Sequence, residues 1–256
     1  MRELENKVAL VTGGSRGIGR GIAEALADDG ALLTVHFGRN SRAAEEAVAS
    51  ISSRGGRAFA LRADLASPAE IEQFFKALDV ELTKRTGSNQ LDILVNNAGI
   101  ASAASYREMT AAQFDHLFAV NVRGAFLMTQ AAIPRMRRGG RIINISSLAS
   151  RHAAPSPIVP PYSMTKAALD ALTLGLAQDL GPMNITANVI APGAVETDIN
   201  SQFLSKPEIR KGIEEQTALR RIGEVKDIAE LARFFASSRS QWITGQYVAA
   251  SGGFRL

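Results

Sequence analysis

A glycine-rich stretch near the amino terminus reads Thr12-Gly13-Gly14-Ser15-Arg16-Gly17-Ile18-Gly19. A short apolar run at residues 8–11 precedes it, and a segment of helical period at residues 18–29 follows it. Glycines in such a turn let a pyrophosphate approach backbone N–H groups at the positive end of the helix. Their spacing differs from the G-x-G-x-x-G fingerprint, so the strand–loop–helix setting rather than the motif favours dinucleotide binding. An ordinary tight turn is the alternative.

Apolar strands and amphipathic helices alternate along the following 160 or so residues. Strands are predicted at residues 8–11, 32–37, 58–61, 93–95, 141–145 and 186–190. Helices are predicted at residues 18–29, 41–53, 68–84, 111–137 and 162–180, the third with Ser67 as N-cap and Pro68 as its first residue. Continuous apolar strands between helices are typical of a parallel sheet, so the sequence predicts a doubly wound α/β fold with helices on both faces.

Length and composition favour one enzyme-sized domain that spans residues 1–256. Hydrophobic residues make up 46% of the chain and charged residues 21%, which is typical of globular proteins. The absence of cysteine excludes disulfides and thiolate zinc sites, and three histidines argue against a histidine-rich site, so no metal is predicted. An interrupted helical pattern at residues 200–223 predicts a substrate lid at about 195–222, with an ordinary pair of surface helices as the alternative.

The basic charge balance does not by itself indicate a nucleic-acid partner. The formal net charge is +4, but lysine and arginine are spread along the chain and their densest cluster, residues 135–141, is short. A solvated surface is the better interpretation. The amino terminus runs directly into an apolar strand, and no run of 18 apolar residues occurs. We therefore expect no membrane association and a cytoplasmic location.

Five further motifs follow the glycine loop in a fixed order. They are Asn96-Asn97-Ala98-Gly99, Asn121, Ser147 after Ile-Asn-Ile-Ser, Tyr162-Ser-Met-Thr-Lys166, and Pro192-Gly193. Together with the glycine loop they resemble the short-chain dehydrogenase/reductase family, whose first loop reads T-G-x-x-x-G-x-G. The resemblance extends over almost the whole chain. It implies a single Rossmann-type domain with a seven-stranded parallel sheet, and an oxidoreductase that acts on a carbonyl or a secondary alcohol.

The catalytic group implied by the resemblance comprises Asn121, Ser147, Tyr162 and Lys166. Reduction of a carbonyl needs a positioned acid, and Tyr162 can supply the proton. A phenol has a pKa of about 10, and Lys166, one helical turn away on the same face, is expected to lower it. Ser147 would orient the substrate oxygen, and in the family the asparagine holds a water that links the lysine to solvent. Taken alone, a Tyr-x-x-x-Lys pair is common on surface helices.

One departure from the family concerns the segment between Ser147 and Tyr162. The two residues are fifteen positions apart, a longer separation than the family usually shows, and the intervening segment 150–161 is rich in proline. This composition predicts a stiff wall beside the substrate. Ser146 is a rival for the role of Ser147, and His152 is expected to be an exposed loop histidine without a role.

The end of the second strand bears on the choice of cofactor. It reads His36-Phe37-Gly38-Arg39-Asn40, with no carboxylate to bind a ribose 2′-hydroxyl or to repel a 2′-phosphate. Arg39 and Arg16 offer charge-assisted donors, which favours NADP(H) over NAD(H), although both could be simple surface charges. The resemblance implies cofactor contacts from Gly13, Ser15, Arg16, Gly17, Ile18, Gly19, Phe37, Arg39, Asn40, Asp64, Leu65, Asn97, Ala98, Gly99, Tyr162, Lys166, Pro192, Gly193, Val195 and Thr197. The alternative role for Asp64 and for Thr197 is helix capping, and residues 97–99 could instead form an ordinary tight turn.

The substrate is expected to be a small-molecule carbonyl, but its identity stays open because loops set specificity in this fold, here residues 101–108, 150–161 and 199–220. The general resemblance is closest to 3-oxoacyl-carrier-protein reductases and similar carbonyl reductases. Arg135, Arg137 and Arg138 could form a basic patch for an acyl carrier protein, whereas Gln178-Asp179 stands where those reductases tend to carry a basic residue. That reaction is kept as the alternative, followed by a non-catalytic NADP(H)-binding sensor. The family resemblance and the apolar helices at 111–137 and 162–180 predict a homotetramer.

Overall fold

A seven-stranded parallel sheet forms the centre of the protein. The computed structural model describes residues 2–101, 104, 105, 107–152 and 160–255, without the side chains at positions 160, 199 and 202. The strands are β1 (Val8–Val11), β2 (Leu32–Phe37), β3 (Arg57–Arg62), β4 (Leu91–Asn96), β5 (Met136–Ile145), β6 (Thr186–Pro192) and β7 (Tyr247–Ala250). Their order across the sheet is β3-β2-β1-β4-β5-β6-β7, and every pair is parallel. The predicted fold class is confirmed.

Burial explains why the central strands are continuously apolar. Every residue of β1, β4 and β6 is buried, whereas the edge strands β3 and β7 are largely part-exposed. Side chains alternate between the two faces, so that Ala9 and Val11 contribute to one core while Val8 and Leu10 contribute to the other. A sheet with two buried faces requires helices on both.

Nine α-helices lie in the described part of the chain. They are α1 (Gly17–Asp28), α2 (Ser41–Ser53), α3 (Pro68–Thr86), α4 (Ala111–Phe118), α5 (Ala125–Ala132), α6 (Pro160–Leu180), α7 (Asp198–Leu204), α8 (Pro207–Glu215) and α9 (Val225–Ala236). The core on one face includes residues of α1, α2 and α9, such as Leu26, Ile51 and Phe235. The other core includes residues of α3, α5 and α6, such as Phe74 and Met128.

The predicted start of α3 is confirmed by its cap. The Ser67 Oγ accepts a hydrogen bond from the Glu70 N–H at 3.3 Å, and Pro68 occupies the first helical turn. Gly87, with a φ of +78°, ends the helix in the left-handed conformation that glycine adopts without strain. The interrupted helical pattern after residue 200 corresponds to α7 and α8, which form a small apolar cluster through Leu204, Ile213 and Ile222.

The single helix predicted at 111–137 is wrong. Between α4 and α5 the chain forms a π-helix (Ala119–Gly124), and after α5 it forms a 3₁₀ turn (Ile133–Arg135) that leads directly into β5. Pro134, which has no N–H to donate, lies in that turn. Strand β5 therefore begins at Met136, five residues earlier than predicted, and a register shift against β4 accommodates its first residues. Ile133 and Met136 are three residues apart, and this spacing continues the helical pattern beyond the end of α5.

Two elements near the carboxyl end were not located by the sequence patterns. Helix α9 buries Ile228, Ala229, Ala232 and Phe235, and this i, i+1, i+4, i+7 spacing was a usable signal. Strand β7 is four residues long and only partly buried, so its pattern is weak. Within the described residues, no helix is both long and apolar enough to cross a membrane.

Candidate active site

The glycine loop lies at the carboxyl edge of the sheet, next to the point where the strand order reverses between β1 and β4. Gly13 has a φ of +63°, and a Cβ there would lie 3.0 Å from the Ala98 Cα. A Cβ on Gly19 would lie only 2.3 Å from both the Asn97 Nδ2 and the Gly13 O. Helix α1 starts after Arg16 without a side-chain cap. Its first N–H groups are therefore available to an anion such as a pyrophosphate.

Hydrogen bonds join this loop to the turn after β4. The Thr12 Oγ1 accepts from the N–H groups of Asn97 and Ala98 at 2.9 and 3.0 Å. In return the Asn97 Nδ2 donates to the Thr12 O at 2.9 Å and to the Gly13 O at 3.2 Å. The Asn97 side chain thus shapes the glycine loop, while its backbone and that of Ala98 border the cleft.

His36 is a functional residue that the sequence reasoning missed. It is buried, its Nδ1 accepts from the Gly13 N–H at 3.0 Å, and its Nε2 lies 3.0 Å from the Ala63 O. These two bonds require a neutral ring with the proton on Nε2. Burial lowers the pKa of His36 to about 4, which keeps the ring neutral. The sequence signal was a histidine inside an otherwise apolar strand that ends beside the cofactor loop.

The loop after β2 presents its basic and polar residues to solvent. Arg39 is exposed and makes no hydrogen bond or ion pair with any residue that the structure describes. Arg16 lies 4.0 Å from Asp198 in an exposed ion pair. The Asn40 Oδ1 caps α2 by accepting from the Ala43 N–H at 3.0 Å, and Phe37 is partly exposed at the end of β2.

The remaining predicted cofactor residues lie at the same edge. The Asp64 Oδ1 accepts from the Ala66 N–H in the turn before α3, and Leu65 is buried against Gly124. Thr197 precedes α7 without capping it by its side chain, and it faces Gly17, whose Cβ position would lie 3.7 Å from the Thr197 Cγ2. Of the other predicted cofactor residues, Pro192 ends β6, and Gly193 and the buried Val195 follow it.

The proposed catalytic residues come together where β5 ends against α6. The Ser147 side chain is hydrogen-bonded to Tyr162. The Lys166 Nζ lies 5.7 Å from the centroid of the Tyr162 ring and donates to the Ile145 O at 2.8 Å. Ser146 is buried, and its Oγ donates to the Lys166 backbone O at 3.1 Å rather than bonding to Tyr162. The serine that faces the phenol is therefore Ser147.

Asn121 lies in the π-helix, which turns its side chain into the interior. The Asn121 Nδ2 donates to the Ile100 O and the Thr165 Oγ1 at 2.9 and 3.1 Å, and its Oδ1 accepts from the Ile100 N–H at 2.8 Å. The Asn121 Oδ1 and the Lys166 Nζ both flank Gly99, within 3.4 and 3.5 Å of its Cβ position. Asn121 thus fixes the chain after Gly99 and lies beside the lysine.

Burial sets the charge states of Tyr162 and Lys166. It raises the pKa of Tyr162 to about 12, against a smaller lowering by the Ser147 hydrogen bond. It lowers the pKa of Lys166 to about 8, opposed by the negative charge of Asp170. Loss of hydration therefore opposes the lowering of the phenol pKa that was expected from Lys166. At neutral pH the phenol is protonated, which is the form that a proton donor needs.

Part of the predicted site lies outside the described residues. Positions 102, 103, 106 and 153–159 belong to the loops 101–108 and 150–161 that were expected to contact the substrate. His152, which is described, is exposed. In the described part of the chain, no group of three or more His, Cys, Asp or Glu side chains is arranged to hold a metal ion.

Comparison with protein families gives one matching model over almost the whole chain. The model described as Enoyl-(Acyl carrier protein) reductase matches residues 13–255. An uncharacterized oxidoreductase of Methylorubrum extorquens is 40% identical over 256 residues, which cover 100% of both chains. A short-chain type dehydrogenase/reductase of Picea abies is 38% identical over 260 residues, which cover 98% of this chain and 93% of that protein.

Two solved structures with the same fold are ketoreductases. LugOII, a promiscuous reductase that catalyses keto-reduction at C1 during lugdunomycin biosynthesis, has a TM-score of 0.93 and 44% identity, with 99% of this chain and 100% of that chain covered. The angucycline C-6 ketoreductase LanV, with NADP bound, also has a TM-score of 0.93, with 42% identity and coverage of 99% and 97%.

Proposed function

Because the chain belongs to the short-chain dehydrogenase/reductase family, we propose that it is an NADP(H)-dependent oxidoreductase acting on carbonyl and secondary alcohol groups. The observation that carries this proposal is the juxtaposition of Ser147, Tyr162 and Lys166 beside the glycine loop. A protein that only sensed NADP(H) would have no use for a tyrosine that is positioned between a serine and a lysine to donate a proton. The intact group therefore favours catalysis over the sensor alternative.

The side chains divide the work of carbonyl reduction. When bound, the nicotinamide supplies the hydride. Ser147 donates a hydrogen bond to the carbonyl oxygen, and Tyr162 gives that oxygen its proton as negative charge develops on it. The Lys166 ammonium, anchored on the Ile145 O, favours the phenolate that this transfer leaves on Tyr162. Asn121 holds the turn after Gly99, and its Oδ1 lies next to the same Gly99 position as the Lys166 Nζ.

The residues at the sheet edge fit a dinucleotide. Gly13 and Gly19 lie so close to the turn after β4 that neither position has room for a side chain. A backbone without side chains at these positions suits the close approach of a pyrophosphate. The absence of a carboxylate after β2, with Arg39 unpaired among the described residues, favours a ribose 2′-phosphate. LanV, 42% identical, binds NADP. We therefore propose NADP(H) rather than NAD(H).

Ketones of the angucycline type are the substrates that we propose to examine first, since LanV is an angucycline C-6 ketoreductase. A 3-oxoacyl carrier protein is supported less well. Arg135 makes a bidentate ion pair with Asp79 at 2.6 Å, and Arg137 pairs with Asp92 at 3.0 Å. These arginines lie at the amino end of β5, roughly 30 Å from Ser147 at the other end. Asp92 also pairs with Lys7, so this surface keeps part of its positive charge, but it lies far from the catalytic group.

The test is an assay of NADPH and NADH oxidation against simple ketones, quinones, acetoacetyl thioesters and an angucycline ketone. We expect turnover with NADPH and the angucycline ketone. Arg39→Ala should raise KM for NADPH about tenfold through loss of one charge-assisted contact, with KM for NADH unchanged. Equal use of both cofactors by the wild-type protein would contradict the cofactor assignment. Activity restricted to acetoacetyl thioesters would favour the carrier-protein alternative.

The protein is also proposed to be a cytoplasmic homotetramer with the segment 195–222 as its substrate lid. The contact of Thr197 with Gly17 and the pairing of Arg16 with Asp198 support the lid, because both link α7 to the cofactor loop. Apolar residues exposed on two separate surfaces support the tetramer, and their test is given below.

A further inference from the structure

Asp170 is a buried carboxylate one helical turn beyond Lys166 on α6. Its Oδ2 accepts a hydrogen bond from the Ser150 Oγ at 2.7 Å and lies 3.5 Å from the Arg151 Nε. Its Oδ1 is buried and has no hydrogen-bond partner among the residues that the structure describes. Burial of a carboxylate with an unpaired oxygen is costly, so this group calls for a specific role.

The groups that Asp170 binds belong to the turn that follows Ser147. This 3₁₀ turn, Leu148–Ser150, is started by the Ser147 Oγ, which accepts from the Ala149 N–H at 3.2 Å. Arg151 continues from the turn, and its guanidinium lies 3.8 Å from the centroid of the Tyr247 ring. The Tyr247 hydroxyl in turn donates to the Ser147 O at 3.4 Å. Asp170 thus ties the turn after Ser147 to α6 and, through Arg151 and Tyr247, to β7.

The charge of Asp170 also acts on the lysine. Residues four apart on a helix are neighbours on its surface, and opposite charges at this spacing attract. Other titratable or charged side chains that these contacts bring together are Tyr162, whose ring centroid lies 5.7 Å from the Lys166 Nζ, Arg151, which lies 3.5 Å from Asp170, and Tyr247, whose ring contacts Arg151. Asp170 is the one carboxyl group among these residues. Its negative charge opposes the effect of burial, which favours neutral Lys166.

We propose that Asp170 is a positioning residue with two effects: it holds the turn that presents Ser147, and it keeps Lys166 in its ammonium form. This inference rests on the proposed reductase function. A purely structural carboxylate would fulfil the first role alone. An asparagine could also accept the Ser150 hydrogen bond, so the hydrogen bond by itself does not require a charge at position 170.

The charge effect can be tested without a substrate. The pKa of Lys166 is measured from the NMR titration of its Cε signal, assigned with Lys166→Arg, in wild type and in Asp170→Asn. Asp170→Asn keeps an acceptor for Ser150 and loses the charge, so the Lys166 pKa should fall by about one pH unit. The alkaline limb of kcat/KM should move downward with it. An unchanged Lys166 pKa overturns the charge role, whether or not the wild-type enzyme reduces any ketone tested.

Two further variants test the positional effect and serve as controls. Ser150→Ala removes the hydrogen bond and keeps the carboxylate, so KM for the ketone should rise about tenfold while the Lys166 pKa stays in place. Asp170→Glu keeps the charge and misplaces the acceptor, so KM for the ketone should rise while the Lys166 pKa stays near its wild-type value. This variant tests the charge role even if Asp170→Asn does not fold. A wild-type KM in Ser150→Ala overturns the positional role. A Lys166 pKa in Asp170→Glu lowered as much as in Asp170→Asn contradicts the charge role.

Discussion

At the scale of single residues, burial decides which charge states the site can use. His36 is neutral because a buried imidazolium would lose its hydration and could not accept the Gly13 N–H at Nδ1. Tyr162 keeps its proton well above neutral pH for the same reason. The two adjacent serines have different partners: the Ser146 hydroxyl bonds to the backbone of α6, and the Ser147 hydroxyl bonds to the Tyr162 phenol.

His36 should make the protein sensitive to acid. The unfolded chain takes up a proton at its ordinary pKa of about 6.5, whereas the folded protein does so at about 4. The stabilisation is therefore complete above pH 6.5 and is lost as the pH falls towards 4, by on the order of 3 kcal/mol. His36→Asn keeps an acceptor near Gly13 and cannot be protonated. Denaturant unfolding at several pH values should show a smaller loss in the variant.

The comparison between the two proteins isolates this effect from the titration of carboxylates elsewhere. If wild type and His36→Asn lose stability in parallel between pH 6.5 and 4, His36 is not the acid-sensitive group.

At the scale of elements, irregular segments carry much of the site. The π-helix between α4 and α5 places Asn121, and the capless start of α1 leaves N–H groups for an anion. The strand–loop–helix setting of the glycine loop and the Tyr162–Lys166 spacing could be predicted, because both depend on residues close in sequence. The division of the helix predicted at 111–137 could not, because the register shift between β4 and β5 depends on distant residues.

The roles of His36 and Asp170 also escaped prediction from the sequence for a physical reason. Their partners, Gly13 and Ala63 for the histidine and Ser150 and Arg151 for the aspartate, are 19 to 27 residues away and meet them only in the folded sheet. Composition and periodicity report which face a residue occupies, and they do not report its tertiary hydrogen bonds.

Helix α1 should tolerate no side chain at Gly19. Gly19→Ala places a Cβ 2.3 Å from the Asn97 Nδ2 and the Gly13 O, so the glycine loop must shift. Overpacking of this kind lowers the free energy of unfolding by about 1–3 kcal/mol, and NADPH binding should be lost as well. Chemical denaturation and fluorescence titration with NADPH measure the two effects.

Gly212→Ala is the matched control, because no heavy atom lies within 4 Å of its Cβ position inside α8. That variant should be neutral or stabilised by up to about 1 kcal/mol, since alanine favours helix interiors. NADPH binding by Gly19→Ala equal to that of Gly212→Ala would contradict the close approach described for the loop.

At the scale of the whole molecule, exposed apolar surface indicates how copies assemble. A groove of about 650 Å³ between the α4–α5 segment and α6 is lined largely by apolar side chains, including Phe118, Phe126 and Leu172. Trp242 and Leu174 are 96% and 58% exposed on a second surface, where Gly245 lies close to Leu174. If each surface paired with its own copy about a two-fold axis, the result would be the dimer of dimers proposed above.

Light scattering should give about four times the monomer mass of 27.3 kDa. Phe126→Asp places a charge in the groove and should reduce the mass to that of a dimer, because a buried unpaired carboxylate destabilises an interface. Val80→Asp, at an exposed apolar residue on α3, should leave the mass unchanged. A monomeric wild-type protein, or equal masses for the two variants, would contradict the proposed interface.

The central claim is that Tyr162 protonates a carbonyl that receives a hydride from NADPH. The most direct measurement is single-turnover reduction of an accepted ketone by wild type and Tyr162→Phe at pH 7, with NADPH affinity determined in parallel. The account predicts that the variant binds NADPH but reduces the ketone at least about a hundredfold more slowly, because it has lost its proton donor. Equal single-turnover rates for the two proteins would contradict it.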